Sequence, residues 1–298
     1  MSTAEAWTVG KLLTWTTDYL KKSGSQSPRL DAEVLLAHAR SCQRIELYTA
    51  FDEEPSEETK TAFREMVRRR SEGTPVAYLV GYKEFYSATF EVNPDVLIPR
   101  PETEHLIVEA LDRAKQLREA RGNESDKLRI ADVGTGSGII AISLAKHLKN
   151  CHVTAIDISP AALEIARRNA AKYELDETRI TLVEGNLLGA CPQHESFDLI
   201  LSNPPYVSQA EFEQLDKTVR DYEPQGALVA GPSGAETIVQ LMEQAPAFLA
   251  EDGWLIIEFS PMLAQQIDSW IPAGWQAPIV IKDYAGHARI VSLQKTKA

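Results

Sequence analysis

A side-chain amide, two prolines and a tyrosine stand together at Asn203-Pro204-Pro205-Tyr206, directly after the apolar run FDLILS at 197–202. Asn and Pro are ordinary turn formers and end strands. The same four residues could also clamp a planar NH2 group. An amide or aniline-like nitrogen is a poor nucleophile, because its lone pair is delocalised and it is not deprotonated near neutral pH. Geometry helps: acceptors on both N–H bonds leave the lone pair facing an electrophile. Asn203 offers a side-chain carbonyl and Pro204 a backbone carbonyl, and their dipoles stabilise the positive charge that develops as the nitrogen is alkylated. Prolines restrict φ and hold those groups in place. Tyr206 can stack on a flat substrate group. The alkylated nitrogen becomes acidic, so no general base is required.

A second constellation is Asp132-Val133-Gly134-Thr135-Gly136-Ser137-Gly138. Glycines let the backbone turn tightly and approach a ligand at the positive end of a helix. The dinucleotide fingerprint would place its third glycine at Ile139, and there is no Walker lysine, so this is a GxGxG loop for a nucleotide-type cofactor. Asp157 stands at the end of the next expected strand, where a carboxylate accepts ribose hydroxyls. The plain alternative is a tight strand–helix turn with an acid ahead of the Ser159 cap.

Positioning these groups requires strands whose carboxyl ends share one edge. From Leu128 the sequence alternates strand and helix: LRIADVG, a helix after GSG, HVTAIDIS, a helix from Ser159-Pro160, RITLVEGN, FDLILSN and GWLIIEF. Pro160 suits the first helical position, and Ser208-Gln209-Ala210-Glu211 and Ser233-Gly234-Ala235-Glu236 both read as capping boxes. Ser260-Pro261 is expected to open a further helix. APIVIKDYAGHARIVSLQ reads as two strands around Tyr284-Ala285-Gly286-His287, a hairpin that makes one strand antiparallel. The expected fold is α/β, a doubly wound, mostly parallel sheet ending in an antiparallel hairpin and preceded by a small helical domain.

That helical domain is expected over 1–74. TVGKLLTWTTDYL puts Val9, Leu12, Leu13, Thr16, Tyr19 and Leu20 near one face, and SPRLDAEVLLAHAR, IELYTAF and SEETKTAFREMVRRR follow. VAYLVGYKEFYSATFEVNPDVLIP is rich in aromatic and β-branched residues and reads as a hairpin linker within 75–100, leaving 101–298 for the α/β domain.

The 298 residues carry a net charge of −12, which argues against a surface that grips nucleic acid; Arg68-Arg69-Arg70 closes a helix opened by Glu57-Glu58 and complements its dipole. No apolar run reaches the roughly 20 residues of a membrane span. The N-terminus lacks the pattern of a secretory signal. The 3 cysteines, Cys42, Cys151 and Cys191, have no CxxC spacing and suit a reducing cytoplasm. The 6 histidines, His38, His105, His147, His152, His194 and His287, show no ligand spacing, so no metal is expected. The 5 tryptophans are expected to pack. With no dimerisation seam in the pattern, a monomer is expected.

D-V-G-T-G-S-G, I-D-I-S and S-N-P-P-Y together resemble class I methyltransferases that use S-adenosyl-L-methionine. With V-L-I-P-R-P-E-T-E (96–104), P-V-A-Y-L-V-G (75–81), Y-E-P (222–224) and D-Y-A-G-H-A-R (283–289), the chain is similar over nearly its whole length to the HemK/PrmC family. These enzymes methylate N5 of the glutamine in the Gly-Gly-Gln motif of peptide chain release factors. The resemblance implies a seven-stranded methyltransferase sheet and assigns Gly134, Thr135, Gly136, Ser137 and Gly138 to the methionine part of the cofactor. It implies Asp157 at the ribose, with Ile158, Asn186 and Leu187 also at the cofactor. Asn203, which also borders the cofactor, would bind the substrate amide, with Pro204, Pro205 and Tyr206 completing the pocket and residues 99–103 lining it. Three departures stand out. Gly185-Asn186-Leu187 lacks the family aromatic that covers adenine, Glu258-Phe259-Ser260-Pro261 replaces an E-I-G stretch, and Ala235 follows Gly231-Pro232-Ser233-Gly234. Methylation of a ribosomal protein, or of an exocyclic amine in nucleic acid, is the alternative the motifs leave open.

Overall fold

A computed structural model of the chain describes residues 6–192 and 195–296, so His194 lies outside the described residues. The chain divides into two compact units, one comprising residues up to Tyr82 with Asp216–Tyr222, the other Lys83–Leu215 with Glu223–Ala298.

The first unit is helical: α1 (Val9–Lys22), α2 (Pro28–Ala39), α3 (Glu46–Thr49), α4 (Glu57–Ser71) and α5 (Val76–Val80), with a helical turn at Lys217–Arg220. Hydroxyls of Thr8 and Ser56 cap α1 and α4 by accepting the backbone N–H groups of Lys11 and Thr59. Val9, Leu12, Leu13, Thr16 and Leu20 form the buried stripe of α1 and meet Leu35, Leu36, Leu47, Phe63 and Val67. Tyr19 falls at the margin of that stripe and is 37% exposed; its ring stacks on Trp15 at 5.0 Å. Trp7 and Trp15 are likewise 45% and 51% exposed, contrary to the packing role expected of them, because they lie off the stripe. Trp254 is buried, and Trp270 and Trp275 pack partly buried against the second unit's core.

The basic triplet is partly neutralised: Arg68 pairs with Glu65 and Glu72, and Arg70 with Asp31 at 2.7 Å. Tyr222 donates its hydroxyl to the Glu72 carbonyl at 3.2 Å. The stretch VAYLV is a correction to the hairpin expectation. Residues Val76–Val80 are helical, started by Pro75 and ended by Gly81 at φ +80, because Val76, Leu79 and Val80 pack onto the helical core. Tertiary burial overrides β propensity here. The hairpin itself is short, β1 (Tyr82–Phe85) against β2 (Ala88–Glu91).

The second unit holds a sheet of 7 strands: β3 (Leu128–Val133), β4 (Cys151–Asp157), β5 (Ile180–Glu184), β6 (Phe197–Ser202), β9 (Leu249–Glu258), β10 (Ile279–Lys282) and β11 (Ala288–Gln294). A small pair, β7 (Val207–Ser208) and β8 (Val229–Gly231), stands apart from it. The sheet order is β10-β11-β9-β6-β3-β4-β5, with β11 antiparallel to both its neighbours and the other pairings parallel. Helices α6 (Glu104–Arg121), α7 (Ile139–His147) and α8 (Pro160–Lys172) and the helix Glu236–Phe248 cover it. Both faces are apolar, which explains the unbroken hydrophobic runs. Leu128, Ile130, Leu199, Leu201 and Ile256 pack into one layer, while Ala131, Val133, Ile200, Leu255 and Ile257 pack into the other.

Two helix starts differ from expectation. Ser208 does form a capping box with Glu211. Ser233 does not: the helix begins at Glu236, whose carboxylate instead accepts the backbone N–H groups of Ser233 and Gly234 at 2.8 and 2.9 Å. After Ser260-Pro261 there is only a 3-residue 3-10 turn, Pro261–Leu263, before the short helix Ile267–Trp270.

Candidate active site

Strand register gathers the chemistry at one edge. Val133 pairs with Ile156 on one side and Ser202 on the other, and Ser202 pairs in turn with Ile257. The next residues, Gly134, Asp157, Asn203 and Glu258, therefore emerge side by side at the carboxyl ends of four adjacent strands. Strand order reverses at β3, and ligands in open α/β sheets bind at such switch points.

A cleft of about 450 Å3 opens there, within the usual ~300–1,000 Å3 range of small-molecule sites. Of the expected cofactor residues, Gly134, Thr135, Gly136, Ser137, Asp157, Ile158, Asn186 and Leu187 line it, together with Asn203 and Pro205. Gly138 does not; it opens α7 behind the loop. Pro99 and Arg100 line the cleft from the segment before α6, whereas Pro101, Glu102 and Thr103 do not. Pro204 is buried outside the cleft lining. Tyr206 is also outside it: its ring packs on the core and its hydroxyl lies 3.5 Å from Glu258 Oε1.

The glycine loop is pinned from below. Gly134 and Thr135 donate their N–H groups to the Ile156 carbonyl at 2.8 and 2.9 Å. Asp132 Oδ2 accepts the Thr135 hydroxyl at 2.6 Å and the Ala141 N–H at 3.0 Å. Burial pushes the Asp132 carboxyl up to about 7, and its Oδ1 is buried without a hydrogen-bond partner among the described residues. Gly136 sits at φ +56 with open space where a Cβ would stand, so its backbone faces the cleft unobstructed. Its N–H donates to Asp157 Oδ2 at 2.8 Å, and Ser159 N–H donates to Oδ1 at 2.9 Å. Burial raises the Asp157 pKa, against the lowering effect of those backbone donors. Each of its oxygens keeps a second lone pair for a ligand hydroxyl.

On the far wall, Ile158 is exposed and Leu187 adopts φ +51, an uncommon backbone for a branched side chain. Both present aliphatic surface to the cleft. Arg100 and the backbone N–H of Ile98 both bond the buried carboxylate of Glu223, which fixes the 96–100 wall to the Y-E-P segment.

Asn203 is held by one bond. Its Nδ2 donates to Thr103 Oγ1 at 3.0 Å, and among the described residues its Oδ1 accepts none. Gly234 supports the same loop from the side, a role the sequence did not reveal. At φ +85, a Cβ there would stand 2.8 Å from the Tyr206 carbonyl oxygen and 3.1 Å from the Ser208 nitrogen. Gly234→Ala is expected to lower stability by about 1–3 kcal/mol, since neither the backbone conformation nor the contact tolerates a methyl. Urea unfolding checks this, and an unchanged midpoint would remove Gly234 from the support of the 203–206 loop.

Away from the cleft, two histidines take part in local structure. His147 Nδ1 lies 2.8 Å from the Ser143 carbonyl, and the His287 backbone N–H donates to Asp283 Oδ1. Among the described residues no cluster of His, Cys, Asp or Glu is arranged to hold a metal, and no helix is long and apolar enough to cross a membrane.

Comparison with known proteins identifies the family and the fold. Residues 11–81 match the PrmC N-terminal domain, and residues 108–222 match the methyltransferase small domain. A methyltransferase structure from Pyrococcus furiosus, 21% identical, superposes with a TM-score of 0.51 over 78% of this chain and 98% of that one, which speaks to the fold. The release factor glutamine methyltransferase of Koribacter versatilis is 39% identical over 92% of this chain and 93% of its own. That of Rhodopirellula baltica is 52% identical over 97% of both chains. With 52% identity over nearly the whole length of both chains, the chain belongs to the release factor glutamine methyltransferase family.

Proposed function

We propose that this enzyme methylates the side-chain amide nitrogen of the glutamine in the Gly-Gly-Gln motif of peptide chain release factors, in the cytoplasm and as a monomer. The observation that carries this reading is the Asn203 amide, tied by Nδ2 to Thr103 with Oδ1 left open at the cleft.

The cofactor is S-adenosyl-L-methionine, and the cleft suits it. Open backbone at Gly134 and Gly136 leaves room for the methionine part. Asp157 would accept the ribose hydroxyls, and Ile158 and Leu187, which line the cleft, would cover the adenine. When bound, the cofactor supplies an electrophilic methyl carbon on a sulfonium.

The protein's part is orientation. Asn203 Oδ1 accepts one N–H of the substrate amide, and the Pro204 carbonyl is assigned the other. The nitrogen lone pair then faces the methyl carbon, and both carbonyl dipoles stabilise the charge that develops on nitrogen. Pro205 forms the wall beside them. Tyr206 is assigned a supporting place beneath the loop, in keeping with its hydroxyl near Glu258, rather than a stacking surface. The proton leaves the alkylated nitrogen to solvent.

A methyl-transfer assay with labelled S-adenosyl-L-methionine tests the substrate. Release factor, its Gly-Gly-Gln glutamine-to-alanine variant, ribosomal protein and duplex DNA are offered in parallel, with peptide mass mapping. Label on that glutamine, lost in the variant, is the expected result. Label on DNA or ribosomal protein alone would overturn the substrate assignment.

A further inference from the structure

Thr103 closes the 3-10 turn Pro101–Thr103 that runs into α6, and with its own backbone helical its hydroxyl is not placed to accept a backbone N–H of the first turn of α6. The residue is fully buried, and its Oγ1 instead accepts the Asn203 Nδ2 hydrogen. A hydroxyl has one proton and two lone pairs, so a Thr103 that accepts from Asn203 must send its proton elsewhere. Glu258 is the acceptor at hand. Its carboxylate is 1% exposed, its Oε2 has no hydrogen-bond partner among the described residues, and the Thr103 hydroxyl acts to lower its pKa against the raising effect of burial.

We propose that Glu258 and Thr103 are positioning residues that dictate which end of the Asn203 amide faces the substrate. Glu258 draws the Thr103 proton, the Thr103 lone pair takes an Asn203 N–H, and the Asn203 carbonyl is thereby turned to the cleft. An asparagine amide can otherwise flip by half a turn, presenting N–H donors to a substrate that itself needs acceptors. The inference rests on the reading of Asn203 as the amide acceptor. It also gives a reason for retaining a buried carboxylate, which is otherwise costly.

The arrangement depends on the charge of Glu258. Burial raises its carboxyl to about 7, opposed by Thr103, Arg289 and Tyr206 and assisted by Glu102. Arg289 is itself paired with Asp283 at 2.9 Å. Below the raised value the protonated Glu258 no longer draws the Thr103 proton, which is then free to turn to Asn203 Oδ1 and favour the wrong amide orientation. Transfer is therefore expected to rise with pH through about 7 and then level off.

The test compares Thr103→Val, Thr103→Ser and Glu258→Gln in the full chain. Two readouts are used: methyl transfer to release factor, and calorimetric binding of a Gly-Gly-Gln peptide to the protein saturated with S-adenosylhomocysteine. Thr103→Val is expected to lower kcat about tenfold and weaken peptide binding, with S-adenosylhomocysteine affinity unchanged. Thr103→Ser, which keeps the hydroxyl, should restore both. Glu258→Gln should lose the pH inflection. Wild-type kcat in Thr103→Val, a Thr103→Ser variant no better than Val, or an unaltered inflection in Glu258→Gln would each overturn the proposal. The substrate reading fails separately, if the unaltered enzyme places no label on release factor.

Discussion

Asn203→Ala is expected to slow methyl transfer by on the order of 10²–10³-fold, the usual cost of deleting one preorganised polar group aimed at developing charge. The loss should fall on kcat. The substrate glutamine would still reach the cleft, but without the Oδ1 acceptor its N–H bonds would no longer be oriented and its lone pair would seldom face the methyl carbon. Cofactor affinity should barely change, because the loop contacts to Asp132 and Asp157 do not involve Asn203. Single-turnover transfer and calorimetry with S-adenosylhomocysteine separate the two effects. An Asn203→Ala enzyme that transfers at the normal rate would end the amide-clamp mechanism.

The complementary result is expected at Asp157. Asp157→Ala should raise the Kd for S-adenosylhomocysteine about 10- to 100-fold, since hydrogen bonds to a charged group contribute about 1.5–3 kcal/mol. Two losses combine there. The ribose assigned to it would lose its acceptor, and the Gly136 and Ser159 N–H groups would lose theirs, loosening the glycine loop. Asp157→Asn keeps one carbonyl oxygen and should fall between the two. Transfer at saturating cofactor should recover much of its rate, unlike Asn203→Ala. Unaltered affinity in Asp157→Ala would remove the residue from the ribose site.

Much of this site was legible in the sequence because its parts are local. A GxGxG turn needs its glycines wherever it folds, an acid ending a parallel strand stands beside it by register, and Asn203-Pro204-Pro205 ends a strand that both faces of the sheet bury. The alternation of strands and helices carries the topology for the same reason, as does the closing hairpin around Tyr284-Ala285-Gly286-His287. The failures were places where a distant neighbour decided. VAYLV is a helix because its apolar side chains pack on a helical core, although β-branched residues fill it. Ser233 lost its capping box to a loop in which Glu236 bonds two successive backbone N–H groups.

The sequence by itself determined the reaction class, the glycine loop after β3 and the strand that delivers Asn203, since each depends on residues within a few positions of one another. Only the tertiary structure decided what stands behind them. Thr103 and Asn203 are 100 positions apart, and Glu258 and Tyr206 are 52 apart. No periodicity or spacing links such residues; strand order brings β9 beside β6, and the start of α6 reaches Asn203 there. The direction in which an amide points is set by partners that only the folded chain brings together.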